Sequence, residues 1–243
     1  MTGATRGIGL ATANCLLDLG AEVLAVGRDA VRAEETRRAW EHQKLPGDVV
    51  VADVTTELGR DQIVAAVADR WSSLDTLVNN VGEGNRKPFI EVTDSDIDHL
   101  VSLNFTSTAI LLRRLHPLLQ RAAGASVVNV ASTAGLVSVP DTAIYGAQKG
   151  ALIQLSRSLA VEWAPDRIRV NSVSPWFTRT PRIEALLATA EVADRIIART
   201  PLRRPAESEE IASVIAFLCL DASSYLTGQN LIVDGGATIS GIS

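Results

Sequence analysis

The chain has 243 residues, 47% of them hydrophobic and 21% charged, with 23 Lys and Arg against 28 Asp and Glu for a net charge of −5. Such a length holds one large α/β core or two smaller ones, and the acidic balance excludes a protein that grips nucleic-acid backbones through a basic surface. The adjacent pairs Arg113, Arg114 and Arg203, Arg204 are too short to form a nucleic-acid arm. Cys15 and Cys219 each sit inside an apolar helical pattern and read as reduced core residues, with no disulfide framework. His42, His99 and His116 have neither i,i+4 spacing nor cysteine neighbours, so no metal site is predicted. No apolar run reaches the roughly 18 residues of a membrane span, and no basic-apolar-small leader opens the chain. The expectation is a soluble, cytoplasmic protein without membrane contact.

Taken in chain order, the first feature is a glycine-rich stretch, Thr2, Gly3, Ala4, Thr5, Arg6, Gly7, Ile8 and Gly9, leading into a helix predicted over 10–19. Strands are predicted at 22–27, 48–53, 76–79, 126–131, 167–173 and 229–233, mostly unbroken Val, Ile, Leu and Ala, as parallel strands covered on both faces require. Helices are predicted at 30–43, 56–71, 94–121, 143–163 and 208–220. In the last, Ile211, Val214, Ile215 and Leu218 recur at i, i+3, i+4, i+7. Ser208, with Glu210 and Ile211 behind it, resembles a helix start without completing a capping box. Strand alternating with helix predicts one doubly wound α/β domain of the Rossmann type over 1–243. The segment 175–204 breaks the rhythm with prolines, two aromatics and a helical stretch at 183–198. It follows a strand's carboxyl end and reads as a substrate lid, or as a plain surface insertion.

Glycines at such spacing let a backbone turn tightly and approach a pyrophosphate, whose charge a helix N-terminus favours. A glycine loop of this kind follows a central strand, yet nothing strand-like precedes residue 2. A gap there leaves backbone groups unpaired at roughly 1–3 kcal/mol each, so the expectation is that the native chain has residues before Met1. About 20 residues past the loop, where the adenosine ribose needs a partner, stand Gly27, Arg28 and Asp29. An acid bonds a 2′-OH, whereas arginine suits a 2′-phosphate. Arg28 with Arg6 therefore favours NADP(H) over NAD(H), while Asp29 reads equally as a helix cap.

Tyr145 and Lys149 lie four residues apart on a predicted helix, one turn and one face. An ammonium beside a phenol lowers its pKa from about 10 and makes it a usable proton donor or acceptor. Ser132 ends the run Val127, Val128, Asn129, Val130, Ala131, which sets a hydroxyl at a strand's carboxyl edge. A serine-hydrolase reading fails, because no G-x-S-x-G surrounds any serine.

Together these residues resemble the short-chain dehydrogenase/reductase family, from residue 2 to about 236, and within it a tropinone-reductase-like group over 143–150, 167–173 and 217–228. Thr2 to Gly9 matches its T-G-x3-G-x-G loop, Asn79, Asn80, Val81 and Gly82 its N-N-A-G strand end, and Asp53 with Val54 its adenine-side pair. Asn104 stands at its helix asparagine, Ser132, Tyr145 and Lys149 at its serine and Y-x3-K, and Asp234, Gly235 and Gly236 at its C-terminal signature. Pro175 is followed by Trp176 where the family has P-G. The resemblance implies cofactor contacts from Gly3, Thr5, Arg6, Gly7, Ile8, Gly9, Arg28, Asp53, Val54, Asn80, Val81, Gly82, Tyr145, Lys149, Pro175, Thr178 and Thr180.

It also implies hydride transfer between a nicotinamide and a carbonyl carbon. Tyr145 is then the proton donor, Lys149 lowers its pKa and binds ribose, Ser132 orients the carbonyl, and Asn104 supports a proton path. The expected substrate is a small, largely apolar ketone or secondary alcohol in a pocket of Leu136, Val139, Ile144, Trp176 and Phe177. Glu83 reads either as a polar contact there, suited to a cationic amine, or as an exposed carboxylate. Assembly as a homotetramer or dimer through helices 94–121 and 143–163 is also implied. Two alternatives stay open: an NAD(H)-linked alcohol dehydrogenase of the same family, and a catalytically silent nucleotide-binding regulator on the same fold.

Overall fold

The β-branched runs form six parallel strands: β1 (Val23–Gly27), β2 (Gly47–Val51), β3 (Thr76–Asn79), β4 (Ala125–Val130), β5 (Ile168–Pro175) and β6 (Asn230–Val233). In this computed structural model, which describes residues 1–240, β1 pairs with β2, and β3, β4, β5 and β6 pair in that order. Every ladder is parallel and in simple register, for example Val127 opposite Val170. All residues of β1 and β4 are buried, which explains why they lack polar alternation.

The two groups of strands meet through the first residues of the chain. Thr2 bridges Val26 on one side and Asn79 on the other. Its amide donates to the Val78 carbonyl at 2.9 Å, Ala4 donates to Val26 at 3.1 Å, and the Val26 amide donates to Met1 at 2.8 Å. These first residues thus lie between β1 and β3 at the carboxyl end of the central lane. The order across the sheet becomes β2, β1, Thr2, β3, β4, β5, β6, and the glycine loop leaves from the switch point between its two halves.

Helices cover both faces. On one lie α1 (Gly7–Asp18), α2 (Ala30–His42) and α9 (Ser208–Cys219), with Ile211, Ile215 and Leu218 packed on Val128 and Val173. On the other lie α3 (Glu57–Arg70), α5 (Ser107–Gln120) and α6 (Ala143–Glu162), where Leu112, Leu115 and Leu119 pack on Leu77 and Val127. Each such leucine contributes roughly 1.5–3 kcal/mol on burial. Among the described residues no helix is long and apolar enough to cross a membrane.

Three helices depart from the predicted pattern. The run predicted as one helix at 94–121 divides into α4 (Asp94–Val101) and α5, joined by a π-helical turn, Ser102–Thr106. The single helix predicted at 183–198 is two, α7 (Pro181–Leu187) and α8 (Ala190–Arg199). At α9 the capping residue is Glu207, not Ser208, and its box with Glu210 is complete. A glutamate here does the work for which sequence rules look to Ser or Thr.

Candidate active site

At the carboxyl edge of the sheet a cleft of about 760 Å³ runs from the end of β1 to the segment after β5. Its floor is the glycine loop. Gly3 and Gly7 hold left-handed φ angles of +63° and +53°, so the chain turns twice before α1 begins. A Cβ on Gly9 would lie 2.0 Å from the Gly3 carbonyl oxygen. Gly9 is therefore a packing residue that lets helix and loop touch, and it does not line the cleft as predicted. The Asn80 side-chain amide donates to Gly3 at 2.9 Å and its backbone amide to the Thr2 hydroxyl at 3.0 Å. This ties the loop to the end of β3. Thr5, Arg6, Gly7, Ile8, Val81 and Gly82 line the same floor.

The far end holds Arg28, Asp53 and Val54. Asp29 caps α2, its carboxylate accepting from Val31 and Arg32 at 3.0 and 3.1 Å. That leaves Arg28 as the side chain presented at the end of β1. Burial raises the Asp53 carboxyl, but two hydrogen bonds from Thr55, assisted by the Arg28 charge, carry it below its ordinary range. Glu83, read as a polar contact or as an exposed carboxylate, lines the cleft with a half-exposed side chain whose carboxylate lies 3.8 Å from the Arg28 guanidinium.

The near end gathers Ser132, Tyr145 and Lys149 on one wall. Ser132 caps a short 3-10 turn, Thr133–Gly135, accepting from Ala134 at 3.2 Å. Lys149 is 2% exposed, donates to the Val130 carbonyl at 2.7 Å and holds its Nζ 5.7 Å from the Tyr145 ring centre. Burial lowers its pKa to about 8. Burial also raises the Tyr145 phenol above its ordinary value, partly offset by the Ser132 hydroxyl and the charge of Arg182. The lowering expected from Lys149 is not among the effects that set the phenol here, where burial is the largest. At neutral pH Tyr145 thus keeps its proton to give.

Asn104 is fully buried and lies behind the cleft, not in it. From the π-helical turn its Oδ1 accepts from the Glu83 amide and its Nδ2 donates to the Glu83 carbonyl, both at 2.8 Å. It clamps the backbone that passes above Lys149, where a Cβ on Gly82 would lie 3.0 Å from the ammonium. An extra residue in a helical turn redirects a side chain in this way.

Val139, Trp176 and Phe177 line the near end as predicted, with Pro175, Thr178 and Thr180 beneath. The Trp176 indole donates to the Thr200 hydroxyl at 3.1 Å and meets Phe177 edge-on at 4.8 Å. Leu136 and Ile144 do not line the cleft. Ile144 precedes Tyr145 by one residue, about 100° around α6, so the turn that aims Tyr145 inward sends Ile144 aside. Leu136 ends the 3-10 turn and is 41% exposed. Arg86, Thr142, Arg182, Ile183 and Leu186 also line the cleft, outside any motif in the sequence. Arg182 was within reach of a sequence reading: Thr180 caps α7 and Pro181 occupies its first turn, so Arg182 leaves beside a residue already assigned to the site. Arg86 sits in an irregular loop and has no such signal.

Residues 3–238 match a family model described as enoyl-(acyl carrier protein) reductase. Among relatives, a tropinone reductase homolog of Arabidopsis thaliana is 41% identical over 244 residues, spanning all of this chain and 91% of that protein. Among solved structures, gox2181 superposes with a TM-score of 0.95 at 30% identity, covering 98% of this chain and 94% of the other. A gluconate 5-dehydrogenase from Burkholderia cenocepacia, in complex with NADP and tartrate, gives 0.93 at 28% identity, covering 99% and 94%.

Proposed function

This chain belongs to the short-chain dehydrogenase/reductase family, and from that premise we propose an NADP(H)-dependent oxidoreductase acting on a small ketone or secondary alcohol. The observation that carries the reading is the convergence of Ser132, Tyr145 and Lys149 on the cleft whose floor is the glycine loop. The nicotinamide, when bound, supplies or accepts the hydride. The Tyr145 hydroxyl gives its proton to the carbonyl oxygen, and Ser132 holds that oxygen in place. Lys149 supplies positive charge beside the phenol and an ammonium donor toward the ribose. Asn104 acts as a positioning residue by fixing the backbone of residues 82 to 84. Val139, Trp176, Phe177, Ile183 and Leu186 give the near end its apolar walls, and the segment 175–204 serves as the lid.

For the cofactor, the left-handed turns of the loop and the packing of Gly9 fit a pyrophosphate at the start of α1. Asp29 is engaged in capping α2 while Arg28 and Arg6 face the cleft, which favours a 2′-phosphate over a bare ribose. Arg28 is more than half exposed and its contact with Glu83 is long, which leaves the guanidinium open to such a phosphate. The free thiols of Cys15 and Cys219 suit the reducing cytoplasm. Exposed apolar side chains on the helices, Val101 on α4 and Val161 on α6, suit a homodimer or homotetramer. The test is cofactor affinity by fluorescence titration. NADPH should bind more tightly than NADH, and Arg28→Ala should weaken NADPH by about tenfold or more. Tighter NADH binding, or no loss in the variant, refutes the 2′-phosphate assignment.

A further inference from the structure

Three carboxylates line the cleft, Asp29, Asp53 and Glu83, and all stand toward its adenosine end beside Arg28. The end that holds Tyr145 is different. Its charged side chains, Lys149 apart, are two arginines from separate elements: Arg86 from the loop after β3, and Arg182 from the first turn of α7. The Arg86 guanidinium lies 5.5 Å over the Phe177 ring, which itself stands edge-on to Trp176. An aromatic face holds a guanidinium in place without neutralising it. The neighbouring carboxylates are engaged elsewhere: Asp96 pairs with Lys87 at 3.0 Å, Glu83 faces Arg28, and Glu184 sits on a different side of α7, outside the cleft. Among the described residues no ion pair satisfies Arg86 or Arg182. A small apolar ketone gives neither of them anything to bind.

Resting on the oxidoreductase reading, we propose that the substrate carries a carboxylate, held by Arg86 and Arg182 across the mouth of the cleft while its carbonyl points down to Ser132 and Tyr145. The planar fork of a guanidinium matches the two oxygens of a carboxylate, and the apolar walls between the arginines and Tyr145 take the carbon chain. The reaction is then the interconversion of an oxo acid and a hydroxy acid. In reduction the carbonyl carbon gains a hydride from NADPH and the oxygen gains the Tyr145 proton, which leaves NADP⁺ and the hydroxy acid. The positive charge of Arg182 also acts on the Tyr145 phenol, opposing the effect of burial.

The experiment compares 2-oxo-, 4-oxo- and 5-oxohexanoate with their methyl esters as substrates for the protein with NADPH, alongside calorimetric binding of hexanoate and hexanamide to the protein–NADP⁺ complex. At least one acid should exceed its ester in kcat/KM by about tenfold or more, and hexanoate should bind more tightly than hexanamide. Both preferences should collapse in Arg182→Ala and in Arg86→Ala, with partial recovery in Arg182→Lys. Equal handling of acid and ester together with equal binding of hexanoate and hexanamide overturns the proposal, as do variants that keep the preference. If Arg182→Ala weakens NADPH binding and leaves the acid preference intact, the arginine serves the cofactor diphosphate and the proposal fails. Absence of any NADPH binding by the wild-type protein fails the oxidoreductase reading instead, and the substrate assignment falls with it.

Discussion

At the residue scale, the site turns on what burial does to two titratable groups. Lys149 has lost almost all contact with water and its pKa falls from 10.5 to about 8. The unfolded chain holds that proton up to pH 10.5, so between those values the unfolded state binds more protons and stability rises with pH. Chemical denaturation of wild type and Lys149→Met should show wild type gaining on the variant by about 2 kcal/mol between roughly pH 7.5 and roughly pH 10. Parallel curves contradict the burial. The same scale explains which assignments could be made from the sequence. Ser132, Tyr145 and Lys149 are legible because strand edge and helical turn fix where their side chains emerge. Leu136 and Ile144 were misplaced because their positions depend on how a short 3-10 turn ends and on one residue of helical phase. Arg86 and Arg182 were missed because an arginine's reach is decided by what lies opposite it in space.

At the element scale, the segments that carry Ser132 and Tyr145 are held together by close backbone contact. A Cβ on Gly135 would lie 2.7 Å from both the Gly150 amide nitrogen and the Lys149 carbonyl carbon. The 3-10 turn behind Ser132 therefore rests directly on α6, and Ser132 faces Tyr145 as a consequence. Gly135→Ala must push the turn away from the helix. It should lower kcat/KM by about 10²-fold through misalignment and stability by about 1–3 kcal/mol. NADPH affinity, which depends on the glycine loop across the cleft, should stay near the wild-type value. Unchanged kcat/KM in a folded variant contradicts this coupling. Element boundaries were read closely wherever periodicity was strong: β3 is as predicted, and α6 differs by one residue at its end. The π-helical turn left no trace, since an inserted residue in a long apolar helix keeps the pattern apolar. The break between α7 and α8 was hidden likewise, with Ala188 and Thr189 bearing no helix-breaking chemistry.

At the scale of the whole molecule, the cleft follows from topology. A parallel sheet whose strand order reverses at Thr2 opens a crevice at its carboxyl edge, and the glycine loop, Ser132 and the segment 175–204 all arise from that edge. Alternation of strands and helices made this architecture legible from sequence. The occupied central lane was not legible, because three or four residues without β-branched periodicity give no strand signal, yet Met1 to Ala4 supply hydrogen bonds to both neighbours. The central claim is that this cleft passes a hydride between NADPH and a carbonyl carbon while Tyr145 supplies the proton. The most direct measurement is NADPH oxidation, followed by absorbance, over a panel of small ketones and oxo acids with wild type and Tyr145→Phe. The account predicts turnover of at least one carbonyl by wild type and a loss of about 10²–10⁴-fold in the variant, with NADPH still bound. Turnover by Tyr145→Phe close to wild type, or tight NADPH binding without oxidation by any carbonyl, contradicts it.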